Sequence, residues 1–139
     1  MEEKVVVKQG RNYVTTFMAR EPESSASSPR VVQHLNDLTP YGMILAGLGS
    51  CTALVVNTYA EHHNVPVDAV VLTLEYQRSF KEDCDHCEEI ERYEDQIRMV
   101  VEFEGTLSPE QKEKLFKIAL HCPLHKMLLE GIKVKAEPG

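Results

Sequence analysis

The sequence predicts an α+β fold with a largely antiparallel sheet, and three observations support this prediction. An uncharged stretch runs from Thr39 to Ala60, long enough for a helix of about six turns. Segments in which apolar and polar residues alternate, as in β-strands, lie on both sides of it. A second helical region begins with a capping box at Ser108. Strands on both sides of a central helix favour the α+β class.

The first 38 residues predict a hairpin and one short strand. Alternation over residues 4–19 is interrupted by the turn sequence Gly10-Arg11-Asn12, which is typical of a hairpin. A polar, Ser-rich loop follows at residues 21–30. The chain is then expected to return as a short strand over residues 31–35.

The uncharged stretch predicts a central helix that is buried on nearly all sides. Asn36, Asp37 and Thr39 offer helix caps, and Pro40 suits the first helical position. The helix is expected to run to about His63. A helix that is apolar all round must be covered by protein, and 139 residues offer little material to cover it. We therefore predict a homodimer with this helix near its centre.

A membrane-spanning role for the same stretch is disfavoured by its composition. The length would suffice to cross a bilayer. However, the stretch contains three glycines together with Ser50 and Asn57, and acidic segments flank it on both sides. The sequence thus favours a helix in the core of a protein that does not bind a membrane.

The second half of the chain predicts two long strands followed by two helices. Residues 67–78 and 92–104 form the strands, and the charged residues 79–91 form the tip of the hairpin between them. The helix that begins at Ser108 ends near Cys122, where Pro123 forces a break and opens a shorter helix. Residues 132–136 alternate as a final strand. We interpret residues 1–139 as a single domain, because this length suits one hydrophobic core.

Composition excludes several classes of function. The chain has 15 Lys+Arg and 22 Asp+Glu, for a net charge of −7. Binding to nucleic acid or to anionic lipid needs a basic surface, so neither is expected. The first residues lack the apolar run of a signal peptide, which predicts a cytoplasmic location. Four cysteines in that compartment are expected to be reduced, redox-active or metal-binding rather than paired in a disulfide framework.

Two of the cysteines occupy positions that suit chemistry. Cys51 lies midway along the apolar helix, and Cys122 is placed to cap the helix that Pro123 begins. Free N–H groups and the helix dipole at such a cap favour a thiolate. Free cysteines are also common core residues, so packing remains an alternative for both. If both lie inside, contact between them is geometrically reasonable.

These two cysteines carry a resemblance to the OsmC family, which includes the organic hydroperoxide resistance (Ohr) proteins. The specific elements are Pro40 at the helix start, Ala-Gly-Leu-Gly-Ser-Cys-Thr around Cys51, and Cys122-Pro123. The resemblance covers roughly residues 39–136. The branch that it resembles most also has Asp-Cys-x-x-Cys-Glu in the hairpin, as residues 83–88 have here.

The resemblance implies both a fold and a function. The OsmC fold is an intertwined homodimer with its central helices at the interface. The family's activity is thiol-dependent reduction of organic hydroperoxides, in the response to oxidative stress, with no metal or other cofactor. Cys51 would be the nucleophile and Cys122 the resolving thiol, and an external dithiol would return the electrons. An apolar wall would favour alkyl hydroperoxides over hydrogen peroxide, and it would contain Met43, Ile44, Leu48 and Leu54.

The sequence departs from the family where the nucleophile is activated. The family's peroxidases carry a glutamate nine or ten residues before the nucleophile, where this chain has Gly42 and Tyr41. A thiolate in the middle of a helix has no helix end nearby, so a cation is expected to lower its pKa. Arg11 and Arg30 are the candidates for that cation, and Tyr41 is a further candidate for the substrate pocket.

The remaining cysteines, Cys84 and Cys87, form a C-x-x-C pair in the charged hairpin tip. They can be interpreted as half of a zinc site, completed by Cys122 or by His121 or His125. They can equally be a dithiol that relays electrons, or an exposed pair without a role. Two other functions therefore remain open: a zinc-stabilised or small-molecule binding module, and a redox sensor that uses Cys51 and Cys122 without turnover.

Overall fold

The sheet of the protein is antiparallel and has five strands among the residues that the structure describes. The structure is a computed structural model and describes residues 2–20, 29–80 and 93–139. The strands follow the spatial order β3-β2-β1-β4-β5. Their bounds are β1 Glu2–Gly10, β2 Thr15–Arg20, β3 Arg30–Val31, β4 Ala69–Phe80 and β5 Tyr93–Glu104. The predicted N-terminal hairpin and the two long strands are confirmed.

Three α-helices cover one face of this sheet: α1 Pro40–His62, α2 Pro109–Ala119 and α3 Pro123–Glu130. A short 3-10 turn, Leu35–Asp37, precedes α1. In the central strands, Val5 lies opposite Leu74 and Val7 opposite Leu72. All four side chains are fully buried. This alternation places the apolar side of β1 and β4 beneath α1, as the period of two in a strand requires.

Local signals fix the start of α1. The Thr39 hydroxyl accepts a hydrogen bond from the Gly42 amide at 3.2 Å, and Pro40 is the first helical residue. The Glu3 carboxylate of β1 accepts a hydrogen bond from the Thr39 hydroxyl and is itself buried. The predicted cap and first residue of the helix are confirmed.

In the single chain, α1 is buried on the side that faces the sheet, but one stripe on the opposite side is open. The exposed fractions of Met43, Ile44 and Leu54 are 39%, 48% and 49%. Their spacing is helical, and the half-buried Cys51 lies on the same stripe. The helix is long and apolar enough to cross a membrane, a test that the core helices of soluble proteins also pass. The expected burial on nearly all sides is therefore not achieved within one chain.

The helical layer continues with α2 and α3 as expected. Ser108 and Gln111 form the predicted capping box. The backbone N–H of Gln111 donates to the Ser108 hydroxyl at 3.1 Å, and the backbone N–H of Ser108 donates to the side-chain oxygen of Gln111 at 2.9 Å. Leu115 and Ala119 are fully buried and belong to the same core as the sheet and α1.

Two predicted strands differ in the structure. The strand expected over residues 31–35 has only two residues, Arg30–Val31, before the 3-10 turn begins. The strand expected over residues 132–136 is wrong for this chain: the segment has no regular secondary structure and is exposed throughout. A strand needs a neighbour to satisfy its N–H and C=O groups, and no described strand pairs with this segment.

Candidate active site

Cys51 lies near the middle of α1, two residues after Gly49, where the helix packs closely on the sheet. A methyl group added at Gly49 would lie 2.6 Å from Cγ2 of Val7, so the absence of a side chain there permits the approach. The Thr52 hydroxyl is buried and donates to the carbonyl of Leu48 at 2.9 Å. This packing holds the Cys51 turn of the helix in place.

Cys122 lies at the junction between α2 and α3. It is the N-cap of α3, with the extended backbone (φ −64, ψ 130) that a cap requires, and Pro123 follows as the first helical residue. Its side chain is fully buried and accepts no capping hydrogen bond from α3. The predicted cap position is confirmed.

The structure brings the two cysteines together. The Cys122 side chain lies close enough to the Cys51 thiol to raise its pKa, and both are free thiols. The backbone N–H of Leu124 also lies beside the Cys51 sulfur and lowers the pKa of the thiol. That N–H belongs to the first turn of α3, where N–H groups have no partner within the helix. A half-buried and a fully buried thiol thus form one dithiol pair at a helix N-terminus.

These contacts shift the pKa of the Cys51 thiol in opposite directions. Burial raises the pKa, because it disfavours the charged thiolate, and the contact with Cys122 raises it further. The Leu124 N–H lowers it, and the net shift is upward. The expectation that no helix end lies near Cys51 is therefore wrong, because it considered only the ends of α1. The donor comes from α3, which crosses α1 at this point.

Both candidate arginines lie near the ends of α1 rather than beside Cys51. Arg11 donates to the carbonyl of Val67 at 3.1 Å and pairs with Asp68 at 3.0 Å, beyond the C-terminal end of the helix. Arg30 donates to the carbonyl of Asp37 at 3.0 Å, just before its N-terminus. Within the described part of the chain, no cation is among the groups that shift the pKa of Cys51.

Tyr41 belongs to a polar cluster that the sequence did not reveal. Its ring stacks on Tyr76, with centroids 4.5 Å apart, and the Arg78 guanidinium lies 5.9 Å from its centroid. The Tyr76 hydroxyl and Arg78 Nε donate to Asp95 at 2.6 and 2.8 Å. Tyr41 precedes Cys51 by ten positions, about 15 Å along a helix, so it does not contact the thiol.

The sequence contains one indication of this cluster: side chains alternate along β4, so Tyr76 and Arg78 lie on the same face of the strand. Which residue of β5 faces them depends on the strand register, in which Arg78 pairs with Asp95. Burial, followed by the hydrogen bond to Asp95, raises the pKa of Tyr76 to about 12. The hydrogen bonds from Arg78 and Tyr76 hold the pKa of Asp95 below its usual value.

The other sequence-based candidates have mixed outcomes. Of the proposed apolar wall, Leu48 is buried, whereas Met43, Ile44 and Leu54 are exposed. Cys84 and Cys87 lie outside the described residues. Within the described ranges, no group of three His, Cys, Asp or Glu side chains could hold a metal ion.

A family model and a crystal structure agree with this architecture. The model of the family described as OsmC-like protein matches residues 33–137. The fold is similar to the crystal structure of an OsmC-like hydroperoxide resistance protein from Jannaschia sp. CCS1, with a TM-score of 0.62 and 14% identity over 96% of this chain and 90% of that chain. An OsmC-like protein from Mycoplasma pneumoniae has a TM-score of 0.47 and 13% identity over 89% and 85% of the respective chains. No curated protein matches the sequence significantly.

Proposed function

This chain belongs to the family of OsmC-like proteins, and from that membership and its dithiol pair we propose that it is a thiol-dependent peroxidase for organic hydroperoxides. The observation that carries the proposal is that the Cys51 and Cys122 thiols lie close enough to interact. The structural relative from Jannaschia is named a hydroperoxide resistance protein, which supports the same class of substrate.

The proposed oxidation steps use these two sulfurs and the substrate, and an external dithiol completes the cycle. Cys51 loses its proton and attacks the terminal oxygen of the hydroperoxide: an S–O bond forms, the O–O bond breaks, and the alcohol leaves with a proton. Cys51 is then a sulfenic acid. The Cys122 sulfur attacks it, so that a disulfide forms and water leaves. An external dithiol reduces this disulfide by two exchange steps and becomes oxidised itself.

The positions of the two thiols suit this division of roles. Cys51 is half-buried on the open stripe of α1 and is accessible to a substrate, whereas Cys122 is enclosed. The Leu124 N–H stabilises negative charge on Cys51 as the thiolate forms. The buried thiol beside it reacts with the sulfenic acid before a second hydroperoxide can oxidise it further.

The same proposal includes a homodimer, supported by apolar surface that one chain leaves uncovered. Besides the open stripe of α1, Ile132 and Val134 in the C-terminal segment are 66% and 86% exposed. A second chain would cover both of these apolar surfaces. Light scattering at micromolar concentration tests this, and a monodisperse monomer would contradict it.

Thiol counting tests the peroxidase proposal. One equivalent of cumene hydroperoxide per chain is expected to remove two thiols, and Cys51→Ala is expected to abolish the loss. Cys122→Ser should lose one thiol and accumulate a sulfenic acid, which dimedone traps. Because Cys84 and Cys87 are also thiols, the count is made in a Cys84→Ser, Cys87→Ser background as well. Unchanged thiol content in the wild-type protein would refute the proposal.

A redox sensor is the second candidate, because the same two neighbouring thiols would serve it. A sensor would form the Cys51–Cys122 disulfide once, without sustained turnover. Consumption of many equivalents of cumene hydroperoxide in the presence of dihydrolipoamide separates the enzyme from the sensor.

A further inference from the structure

A cavity of about 380 Å³ lies at the C-terminal end of α1, and neither Cys51 nor Cys122 lines it. Its volume is within the range of about 300–1,000 Å³ that is typical of small-molecule sites. Its walls come from α1, from the turn that joins β1 to β2, and from the loop between α1 and β4. The lining residues are Arg11, Asn57, Ala60, Glu61, Asn64, Val65, Pro66 and Val67.

The Asn57 side chain in this cavity is oriented by a chain of hydrogen bonds. The Tyr13 carbonyl can only accept, so the Thr15 hydroxyl donates its one proton to it, at 3.0 Å. The Thr15 oxygen then accepts from Gln9 Nε2 at 2.9 Å, which turns Gln9 Oε1 toward Asn57. Gln9 Oε1 accepts in turn from Asn57 Nδ2 at 2.9 Å. The direction of this chain leaves Asn57 Oδ1 as the acceptor at its end.

Asn57 Oδ1 faces the cavity. Only 4% of Asn57 is exposed, and its side-chain hydrogen bonds within the described part of the chain all use Nδ2. Among the described residues, the one unpaired side-chain atom that is sealed from solvent belongs to His125, so Asn57 Oδ1 is reachable from outside. The route is the cavity that Asn57 lines. Because buried acceptors normally have a partner, we expect this oxygen to bind a donor that enters the cavity.

The charges around the cavity favour a cationic ligand. Arg11 is compensated by Asp68, 3.0 Å away. The Glu61 carboxylate accepts a hydrogen bond from the Tyr13 hydroxyl, and no cation of the described ranges pairs with it. The C-terminal end of α1 adds partial negative charge. Glu61 follows Asn57 by four positions, so both side chains lie on one face of the helix and one ligand can contact both.

We propose that this cavity binds a small organic ammonium ion, whose N–H donates to Asn57 Oδ1 and whose charge lies beside the Glu61 carboxylate. The apolar body of the ligand packs on the aliphatic side of the cavity. Asn57 gives the site its specificity, since its amide is buried and fixed in orientation, whereas Glu61 is exposed and contributes charge. The site uses no thiol chemistry, so it is tested separately from the proposed peroxidase.

Three benzyl compounds distinguish the contact with Asn57 from the contact with Glu61. N,N-dimethylbenzylammonium has a charge and one N–H, benzyltrimethylammonium has the charge without a donor, and benzyl alcohol has a donor without the charge. Each is titrated into the wild-type protein at neutral pH, and binding is followed by NMR through the methyl signals of Val65 and Val67. The dimethyl compound is expected to bind about three- to tenfold more tightly than the trimethyl compound, the usual effect of one hydrogen bond.

Glu61→Gln removes the charge but keeps an oxygen that can accept from Tyr13. It is expected to weaken both ammonium ions by about two- to fivefold, the effect of an exposed ion pair, and to leave benzyl alcohol unchanged. The matched control is Glu102→Gln, which makes the same change of charge at an exposed position of β5 outside this cavity. It is expected to change the binding of none of the three compounds.

Each part of the proposal can fail by itself. Equal affinity of the two ammonium ions overturns the contact with Asn57, and equal effects of Glu61→Gln and Glu102→Gln overturn the contact with Glu61. The absence of a saturable shift of the Val65 and Val67 signals overturns the site. None of these results bears on the peroxidase proposal, which is judged by thiol loss in the wild-type protein.

Discussion

Two glycines of α1, two positions apart, are expected to respond in opposite ways to substitution by alanine. At Gly49, an added methyl group would lie 2.6 Å from Val7 Cγ2 and 2.9 Å from Leu74 Cδ1. Both neighbours are fully buried, so neither can swing into solvent. At Gly47, the nearest atom would be Leu124 Cδ1 at 3.9 Å, which is an ordinary contact distance.

The size of the effect follows from two opposing contributions. Alanine in place of glycine inside a helix stabilises by about 0.8–1 kcal/mol. Overpacking a well-filled core costs about 1–3 kcal/mol. Gly47→Ala gains the first contribution alone and should stabilise the protein by roughly 0.5–1 kcal/mol. Gly49→Ala also incurs the second and should be neutral or destabilised by up to about 2 kcal/mol.

Urea denaturation of wild type and both variants, at one fixed protein concentration, measures these differences. A fixed concentration is necessary because association would stabilise the folded chain by mass action. Gly49→Ala is expected to unfold at a lower urea concentration than Gly47→Ala, with the same slope of free energy against urea. If Gly49→Ala is as stable as Gly47→Ala, α1 does not lie as close to β1 and β4 as described.

Three further predictions concern the thiol, a buried amide and a tyrosine. The rate at which iodoacetamide alkylates Cys51 should rise with pH, with an inflection at a higher pH than for a cysteine in a peptide, because burial raises the pKa of the Cys51 thiol. An inflection at a lower pH than the peptide's would contradict this prediction. Asn57→Ala should lower the free energy of unfolding, measured by urea denaturation, by about 1–3 kcal/mol. The buried Gln9 side chain accepts a hydrogen bond from Asn57 at 2.9 Å and would lose its donor. A decrease of less than about 0.5 kcal/mol would refute this prediction. Tyr76→Phe should be less stable than wild type below pH 10. This difference in stability should vanish as the pH rises through about 12, where Tyr76 loses its proton. A difference that does not change with pH would show that the Tyr76 proton does not contribute to stability.

Elements defined by local sequence were predictable, because their causes lie within a few residues. Thr39 with Pro40, and Ser108 with Gln111, mark helix starts through hydrogen bonds that span three positions. The turn after Gly10 and the alternation of β4 and β5 are similarly local. These elements have the predicted types, with ends shifted by one or two residues.

Features that depend on contacts between distant elements were not predictable. The Leu124 N–H reaches Cys51 only because α3 crosses α1, and no spacing in the sequence encodes that crossing. The Arg78–Asp95 pair depends on the register of two long strands. Residues 132–136 have the alternation of a strand, but alternation specifies which side chains share a face and not which strand will be the neighbour.

The uncovered surface of the chain and the raised pKa of Cys51 are parts of one problem. Cys51 lies on the open stripe of α1, so a second chain that covers the exposed Met43, Ile44 and Leu54 also removes water from around the thiol. Further burial raises the pKa again unless the interface adds positive charge or hydrogen-bond donors. Neither Arg11 nor Arg30 provides that charge within one chain, since each is bound near an end of the helix. A dimer that reacts quickly with hydroperoxides must therefore bring a cation or further hydrogen-bond donors to Cys51, whereas a dimer that only buries the thiol would react slowly.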